Sequence, residues 1–385
     1  MRGERPTTAQ VVIVGGGVIG LSAAYHLARA GVRDVVLLEQ GALGSGSTCK
    51  AAGGVRAQFS DEVNIELGLR SLRTFEGFEE QFGQQIDLHQ VGYLILLDDP
   101  SDVAAFEASA ALQRAAGIDS QVIDVAEAKR LSPVIDTDGL LAAAWTPRDG
   151  HCTPEAVVAG YATAARRAGA RIVTGCRVTG IDVDGDEITG VRTSEGDIAT
   201  DAVICAAGAW SKQIGAHAGV DLPVEPLRRE ILITEAMPWL DPHTPFTIDF
   251  ATSFYFHGEG PGLLLGMSDP DESVGFAQSR SDAWLPRLGE VIERRAPAIA
   301  EVGIASGWAG LYEVTPDHNA LIGEAEQVSR FLYATGFSGH GFLMGPAVGE
   351  VVRDLYLGRT PCVDVSGFTA ERFRGSGVRP ELNII

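Results

Sequence analysis

The fold of this chain is decided by residues 10–20, which read QVVIVGGGVIG. An apolar, β-branched run of this kind is typical of a buried parallel strand, and the glycines after it match G-x-G-x-x-G. A helical pattern follows and stops at Gly31, and a second apolar strand at residues 35–38 ends at Glu39. Strand, glycine turn, helix, strand and terminal acid together predict a unit that binds a dinucleotide. A purely structural glycine turn is the alternative.

Each position of this unit has a physical role in the predicted site. Gly15 permits the tight turn, Gly17 lets backbone N–H groups approach a pyrophosphate, and Gly20 lets the helix pack closely on the strand. The helix N-terminus faces the phosphates, and Glu39 is spaced to accept hydrogen bonds from the adenosine ribose. The predicted contacts of the unit are Gly15, Gly17, Val18, Ile19, Gly20, Glu39 and Gln40.

Composition limits the classes of function. With 385 residues the chain is long enough for two domains, and its net charge of −21 argues against nucleic acid and anionic membrane surfaces as partners. The five cysteines form no C-x-x-C pair, which suits free thiols in a reducing compartment and predicts no metal site. No apolar run approaches the ~18–20 residues of a membrane span, so we expect a cytoplasmic protein.

Small residues dominate the segment that follows Glu39. Residues 44–56 read GSGSTCKAAGGVR, and no core periodicity fits them. Because small side chains let the backbone approach a flat or charged group, we predict that this segment lines the cofactor, with a flexible linker as the alternative. A later apolar strand at residues 202–207 ends in glycine and brings a second strand edge to the nucleotide. The two segments supply the predicted contacts Gly46, Ser47, Thr48, Ala51, Ala52, Gly53, Gly54, Ala206, Ala207 and Gly208.

The nucleotide site is therefore assembled from distant segments. We predict an α/β fold in which a discontinuous Rossmann-type domain comprises residues 1–88, 146–220 and 308–385. Residues 89–145 and 221–307 form an inserted α+β substrate domain with a mixed or antiparallel sheet. Within it, residues 246–267 are typical of a hairpin that carries Tyr255.

In these motifs the chain resembles the D-amino-acid-oxidase-like flavoenzymes, which include sarcosine oxidase, glycine oxidase and the β-subunits of heteromeric sarcosine oxidase and proline dehydrogenase. The resemblance also rests on three further motifs, AAGAW at 206–210, GLYEVTPD at 310–317 and GFSGHG at 336–341. The resemblance implies that the Rossmann-type domain binds FAD and that an amino-acid C–N bond is oxidised by hydride transfer to flavin N5, giving an imine that hydrolyses. It adds the cofactor contacts Val178, Trp210, Gly310, Gly336, Ser338, Gly339, His340, Gly341 and Phe342.

The resemblance also suggests residues for the substrate. Arg56 stands where sarcosine oxidase carries a carboxylate-binding arginine, although an arginine tied to the protein itself is the alternative. His340, between two glycines, is expected to touch the flavin or the substrate amine, or else to be structural. Tyr255 either roofs the substrate or packs in the core. Tyr312 replaces the carboxylate-binding arginine of glycine oxidase, which moves the chain away from primary amino acids.

The expected substrate is therefore a secondary or N-alkyl amino acid, such as sarcosine, an N-methyl amino acid or proline. A deaminating oxidase of primary D-amino acids or glycine is one alternative. A flavin-binding subunit or assembly factor with little activity alone is another, since β-subunits of heteromeric enzymes share these motifs. A partner subunit or an electron-accepting protein is compatible with an enzyme and with a flavin-binding subunit.

Lys50 distinguishes this chain from two of the enzymes that it resembles. Dimethylglycine dehydrogenase carries its flavin-linking histidine at this position, and a lysine cannot form that bond. Monomeric sarcosine oxidase activates oxygen with a lysine, and beyond Lys212 this chain has none. Lys50 is the remaining candidate for that role, and the scarcity of lysine slightly favours a dehydrogenase over an oxidase.

The first prediction concerns how the flavin is held. Because Lys50 occupies the linkage position, we expect acid or heat to release all of the FAD into the supernatant. Flavin fluorescence that stays with the denatured protein band in a gel would contradict this, with Cys49 as the residue to test next.

Overall fold

The computed structural model describes residues 6–375 and 378–384 of the chain. Its strands are β1 Val11–Val14, β2 Val35–Glu39, β3 Gly54–Val55, β4 Tyr93–Leu97, β5 Gln121–Ile123, β6 Ala142–Thr146, β7 Gly150–His151, β8 Arg171–Thr174, β9 Val178–Asp184, β10 Glu187–Thr193, β11 Ile198–Ala199, β12 Val203–Cys205, β13 Glu225–Thr234, β14 Phe246–Asp249, β15 Phe254–Glu259, β16 Gly262–Gly266, β17 Ile304–Val314, β18 Leu321–Glu324 and β19 Phe331–Thr335. Its helices are α1 Val18–Arg29, α2 Glu62–Glu76, α3 Phe78–Phe82, α4 Pro100–Ala115, α5 Val125–Leu131, α6 Pro154–Arg167, α7 Ser211–His217, α8 Leu285–Arg295 and α9 Gly341–Tyr356.

The predicted strand–turn–helix–strand unit forms the centre of a six-stranded sheet with the order β18-β19-β12-β1-β2-β8. All neighbours pair in parallel except β18, which runs antiparallel to β19 at one edge. Every residue of β1 is buried, which explains its continuous apolar run, because a parallel sheet is covered on both faces. The carboxyl ends of β1, β2 and β12 meet at one edge, where doubly wound folds bind ligands.

Two helices that begin at this edge cross each other closely. A Cβ at Gly345 of α9 would lie 2.6 Å from Val18 Cγ2 of α1, and one at Gly349 would overlap Ser22 Oγ. Glycine at both positions lets the helix backbones approach, and Ser22 Oγ donates a hydrogen bond to the Pro346 carbonyl across the contact (3.4 Å). The N-termini of α1 and α9 are thereby held side by side.

A second, eight-stranded sheet has the order β17-β13-β16-β15-β14-β4-β6-β5. It is mixed, with β14 and β4 parallel and the other pairs antiparallel. The predicted hairpin at residues 246–267 is wrong in detail, because this segment contains the three strands β14, β15 and β16. Its first turn includes Ser253 at a φ of 58° and lacks the glycine or proline that would have marked it.

Within residues 6–375 and 378–384, no helix combines the length and the apolar character that crossing a membrane requires. In the same part of the chain, His, Cys, Asp and Glu side chains form no group of three that could hold a metal ion. The five cysteines are free thiols.

Arg295 connects α8 to the large sheet through a buried ion pair. Its side chain is 2% exposed, and its Nε donates to Asp249 Oδ1 (2.9 Å), which is equally inaccessible. Its NH1 and NH2 groups reach the Asp136 and Asp138 carbonyls and Asp98 Oδ2. Because a buried carboxylate that loses its main counter-charge is strongly destabilised, removing Arg295 leaves Asp249 with only the longer contact to the half-exposed Arg294.

We therefore expect Arg295→Met to lower the free energy of unfolding by about 3–5 kcal/mol in urea titrations. The matched control is Arg294→Met, whose side chain is 54% exposed and lies 3.7 Å from Asp249 Oδ2. Solvent around the exposed Arg294 guanidinium and the longer distance limit this contact to about 1 kcal/mol or less, although Asp249 itself is buried. Equal losses for the two variants would show that the buried pair has no special weight.

Candidate active site

One continuous cleft joins the nucleotide edge of the six-stranded sheet to the face of the eight-stranded sheet. It passes from the β1–α1 turn along the N-terminus of α9 to β13, β15 and β17, with a cavity volume of ≈420 Å³. This volume falls in the range of small-molecule sites. A long ligand bound at the turn therefore ends against the large sheet.

The β1–α1 turn requires glycine for steric reasons. Gly15 has a φ of +117°, and a Cβ there would overlap the carbonyl oxygen of Ala206, the residue that follows the neighbouring strand β12. A Cβ on Gly20 would in turn overlap the Gly15 carbonyl oxygen, so α1 lies directly on the strand end. Gly17 precedes the helix, and Thr48 Oγ1 accepts a hydrogen bond from the first helical amide, Val18 N (3.1 Å). The turn thus presents backbone amides at the positive end of a helix, which suits phosphate.

Glu39 is fixed at the end of β2 by two backbone amides. Its Oε2 accepts from Gly16 N (2.7 Å) and its Oε1 from Gly41 N (2.6 Å). A carboxylate has about four acceptor positions, so two remain for hydroxyl donors from a ribose.

The N-terminus of α9 forms the middle of the cleft. His340 precedes the helix, and Gly341, Phe342 and Leu343 of its first turn line the cavity. Glu313 supports this turn, since its Oε2 accepts from Gly336 N (3.0 Å) and Thr335 Oγ1 (2.8 Å). The positive end of a second helix therefore also faces the cleft.

Arg56 lies in the wall of the cleft, but its hydrogen bonds go to the protein. The side chain is 2% exposed and stacks over Phe59 at 4.3 Å from the ring centroid. NH1 donates to the Gln58 carbonyl, whereas NH2 donates to the Asn383 carbonyl (2.8 Å) and lies 3.0 Å from His340 Nε2. Burial lowers the pKa of the guanidinium. The role of Arg56 as a substrate anchor stays a prediction, and this geometry gives it little support.

The contact with Arg56 fixes the state of His340. A guanidinium can only donate hydrogen bonds, so His340 Nε2 accepts and Nδ1 carries the proton. Burial, followed by the charge of Arg56, holds the pKa of His340 well below 6.5. His340 is therefore a neutral imidazole at physiological pH.

An aromatic chamber closes the sheet end of the cleft. Tyr93 and Phe246 stack at 4.3 Å, and the Tyr255 ring lies 5.7 Å from Phe246 on the same side. Tyr312 completes the chamber, and a Cβ on Gly339 would lie 2.6 Å from its ring. Burial raises the pKa of Tyr93, Tyr255 and Tyr312, so their hydroxyls remain protonated.

Lys50 lies against the large sheet where β17 has no side chain. A Cβ on Gly310 would lie 2.6 Å from Lys50 Cβ, and Trp308 Nε1 donates to the Lys50 carbonyl (3.0 Å). Gly310 pairs with Arg229 of β13, so the space left by this glycine brings Lys50 and Arg229 to one patch of the sheet. Both side chains line the cleft.

The cleft brings together most of the predicted site residues. The lining includes Arg56, His340, Tyr255, Lys50 and Tyr312. Three predicted contacts do not line it: Gly20 faces the strand, and Gly336 and Ser338 pack behind the α9 turn against Thr315. The lining cofactor candidates are Gly15, Gly17, Val18, Ile19, Glu39, Gln40, Gly46, Ser47, Thr48, Ala51, Ala52, Gly53, Gly54, Val178, Ala206, Ala207, Gly208, Trp210, Gly310, Gly339, Gly341 and Phe342.

Sequence reasoning missed Arg229, Tyr93 and Phe246. Tyr93 and Phe246 each begin a strand, and these strands pair with each other in parallel although they are far apart in the chain. Alternation along β13 places Arg229 on the same face as Ile231, and both line the cleft. The alternation of side chains along β13 can be read from the sequence. It does not show which face of the strand lies against the cofactor.

Asp149 is a buried acid beside the Arg56 segment. Its Oδ1 accepts from Ala57 N (3.1 Å), whereas Oδ2 has no hydrogen-bond partner among the described residues. Burial raises the pKa of this carboxyl from 3.8 to about 7, against the smaller opposing effects of the hydrogen bonds and of Arg56.

The fold and the cleft define a Rossmann-type oxidoreductase that binds a dinucleotide across the carboxyl ends of parallel strands. The residues fit FAD, because the glycine turn leaves a cradle that a Cβ would fill, and the cleft continues past a second helix N-terminus to the aromatic side chains of the large sheet. The chain belongs to the FAD-dependent oxidoreductase (DAO) family, whose model matches residues 10–355.

Individual relatives cover nearly all of the chain. Human mitochondrial sarcosine dehydrogenase is 31% identical over 96% of this chain and 42% of its own length. Sarcosine oxidase subunit beta of Rhizobium meliloti (strain 1021) is 28% identical over 97% of this chain and 92% of its length. The crystal structure of L-proline dehydrogenase from P. horikoshii matches with a TM-score of 0.89 at 33% identity, over 96% of this chain and 99% of that one. The chain spans less than half the length of the mitochondrial dehydrogenases that it matches.

Asp149 predicts a defined pH dependence of stability. Its pKa of about 7 in the folded state exceeds the unfolded value of 3.8, so between these values the folded protein holds a proton that the unfolded chain releases. The stability contributed by this proton is complete below the unfolded pKa and is lost as pH rises through the folded one, by about 1.4 kcal/mol per pH unit.

We expect the melting temperature of Asp149→Asn, minus that of the wild type, to rise between pH 5 and pH 7 and to level off above it. Subtraction removes the contribution of other titrating groups. The control is Asp221→Asn, at an exposed position, for which the difference stays flat. A flat difference for Asp149→Asn would mean that the carboxyl is already ionised at pH 5.

Proposed function

We propose that this chain oxidises the C–N bond of a secondary or N-alkyl amino acid. The observation that carries the proposal is the sheet end of the cleft, where stacked aromatic rings and cationic side chains line the same space. The cations suit a carboxylate, and the rings suit an alkylated amine. The names of the relatives support it, since sarcosine and proline are both secondary amino acids.

In this proposal the chain binds the dinucleotide, orients the substrate and favours the neutral form of its amine. The β1–α1 turn, Glu39 and Thr48 hold the dinucleotide, which supplies hydride-accepting chemistry when bound. The first turn of α9 provides positive potential beside it. Lys50, Arg56 and Arg229 disfavour a further positive charge, which lowers the pKa of the substrate amine and favours the neutral form that oxidation requires. Tyr93, Tyr255 and Tyr312 offer protonated hydroxyls for orientation.

Several finer assignments belong to the same proposal. The six-stranded sheet forms the FAD domain and the eight-stranded sheet the substrate domain, and the FAD is bound non-covalently. The boundary expected at residue 308 moves to the end of β17, because this strand, Ile304–Val314, belongs to the eight-stranded sheet. Lys50 is the candidate for oxygen activation, and a dehydrogenase that passes electrons to a partner protein remains our preferred form. The free cysteines support a cytoplasmic location.

A second candidate is the catalytic subunit of a heteromeric enzyme. The observation that favours it is the match to sarcosine oxidase subunit beta over 92% of that subunit. In this case the same chemistry takes place, and a second subunit accepts the electrons.

The test is an anaerobic substrate panel followed at the flavin absorbance band. Sarcosine, N-methyl-L-alanine and L-proline are each mixed with the FAD-loaded chain, with glycine and D-alanine as primary-amine controls. We expect at least one of the first three to reduce the flavin at least roughly tenfold faster than either control, because Tyr312 stands where a primary-amine site carries arginine. Faster reduction by glycine or D-alanine would favour the deaminating oxidase.

Admitting air after reduction tests the electron acceptor in the same cuvette. Slow reoxidation in the wild type supports the dehydrogenase. Fast reoxidation that is lost in Lys50→Met, but kept in the exposed-lysine control Lys212→Met, would instead identify Lys50 as the group that activates oxygen.

A further inference from the structure

Arg229 occupies a position in the chamber that no motif indicates. It lies on β13 and pairs with Gly310 of β17, so the directly paired residue contributes no side chain beside it. Its guanidinium carbon lies 5.1 Å from the centroid of the Tyr312 ring, and its side chain lines the cleft. A guanidinium stacked on an aromatic ring keeps its N–H groups in the plane and available at its edge.

The hydrogen bonds of Arg229 are largely unused. NH1 donates to the Arg228 carbonyl (3.0 Å), while Nε is buried and has no partner among the described residues. Within the same described ranges, no carboxylate oxygen lies within the 4.0 Å of an ion pair. A buried, unpaired donor on a cation is costly, and this chain has a large excess of acids that could have neutralised it.

Arg56 presents the opposite arrangement. Its two terminal nitrogens already contact the Gln58 and Asn383 carbonyls and His340 Nε2. A carboxylate needs two neighbouring N–H groups that point the same way, and every such edge of Arg56 that includes NH2 would require one of these bonds to break. Arg229 offers its Nε–NH2 edge without breaking any.

We propose that Arg229, rather than Arg56, binds the substrate carboxylate through two parallel hydrogen bonds. The proposal rests on the function proposed above, and it restricts the substrate to amines that carry a carboxylate. Arg56 is then a positioning residue, which fixes the tautomer of His340 and holds the Asn383 backbone. Arg229 lines the cleft together with Tyr255 and Tyr312, and its guanidinium lies over the Tyr312 ring.

The experiment measures binding without turnover. Methoxyacetate and its neutral isostere methoxyacetamide are titrated into the FAD-loaded protein by isothermal calorimetry. The variants are Arg229→Met, Arg229→Lys and Arg56→Lys, with Arg192→Met as the control. Arg192 is 55% exposed and belongs to the separate three-stranded sheet of β9, β10 and β11.

We expect Arg229→Met to weaken methoxyacetate binding by roughly 30- to 1000-fold and to leave methoxyacetamide within about threefold. Arg229→Lys restores part of the loss, because a lysine keeps the charge but not the two-point geometry. Arg56→Lys and Arg192→Met retain the preference of the wild type for the carboxylate. The selective loss is the readout that general misfolding would not produce, since misfolding weakens both probes.

Three results with the variants would overturn the proposal: unchanged methoxyacetate binding in Arg229→Met, equal losses for both probes in Arg229→Met, or a selective loss in Arg56→Lys instead. A wild type that does not distinguish the two probes overturns it as well. Flavin reduction by sarcosine, N-methyl-L-alanine and L-proline is recorded on the same preparation. A selective loss in Arg229→Met with no reduction by these substrates supports the carboxylate site and contradicts the proposed reaction, so the two failures are distinguishable.

Discussion

The Ala206 carbonyl oxygen lies where a side chain on residue 15 would have to be. This steric constraint determines the remaining geometry of the nucleotide end. It brings the ends of β1 and β12 together and fixes where α1 begins, and the Gly15 carbonyl then excludes a side chain at residue 20. Two further residues are positioned by hydrogen bonds to the same turn, since Glu39 accepts from Gly16 N and Thr48 accepts from Val18 N. The cleft is therefore built outward from one backbone contact.

The electrostatics of the interior oppose those of the whole chain. The net charge is −21, yet Lys50, Arg56 and Arg229 all line the cleft. The two arginines are held by carbonyl oxygens and aromatic faces and not by carboxylates, so their charges are solvated without being neutralised. In a low-dielectric enclosure such charges act strongly on a bound anion or amine.

The sequence predicts the nucleotide end well because its information is local. The strand, the glycines, the helix and Glu39 lie within one short segment, and each has a steric reason that can be read from residue type. The large sheet is different, because β4 lies beside β14 through a pairing between distant parts of the chain. The turn before Phe254 was missed because it carries no glycine or proline.

The substrate end was predicted only in part for the same physical reason. Arg56 could be placed in the wall from the resemblance, but its partners at His340 and Asn383 depend on the folded chain. Arg229 becomes available only because Gly310 stands opposite on a strand far along the sequence. No local sequence pattern predicts that Arg229 and Gly310 lie opposite each other in the sheet.

The contact between Gly310 and Lys50 links two positions that are distant in the chain. A Cβ at residue 310 would press on the side chain at residue 50, and residue 50 in turn lines the cleft. Substitutions at these two sites are therefore expected to show epistasis. Because the atom nearest to a new Cβ at residue 310 is Lys50 Cβ, only glycine at residue 50 removes that contact. In directed evolution of this scaffold, positions 50 and 310 form one unit and should be randomised together.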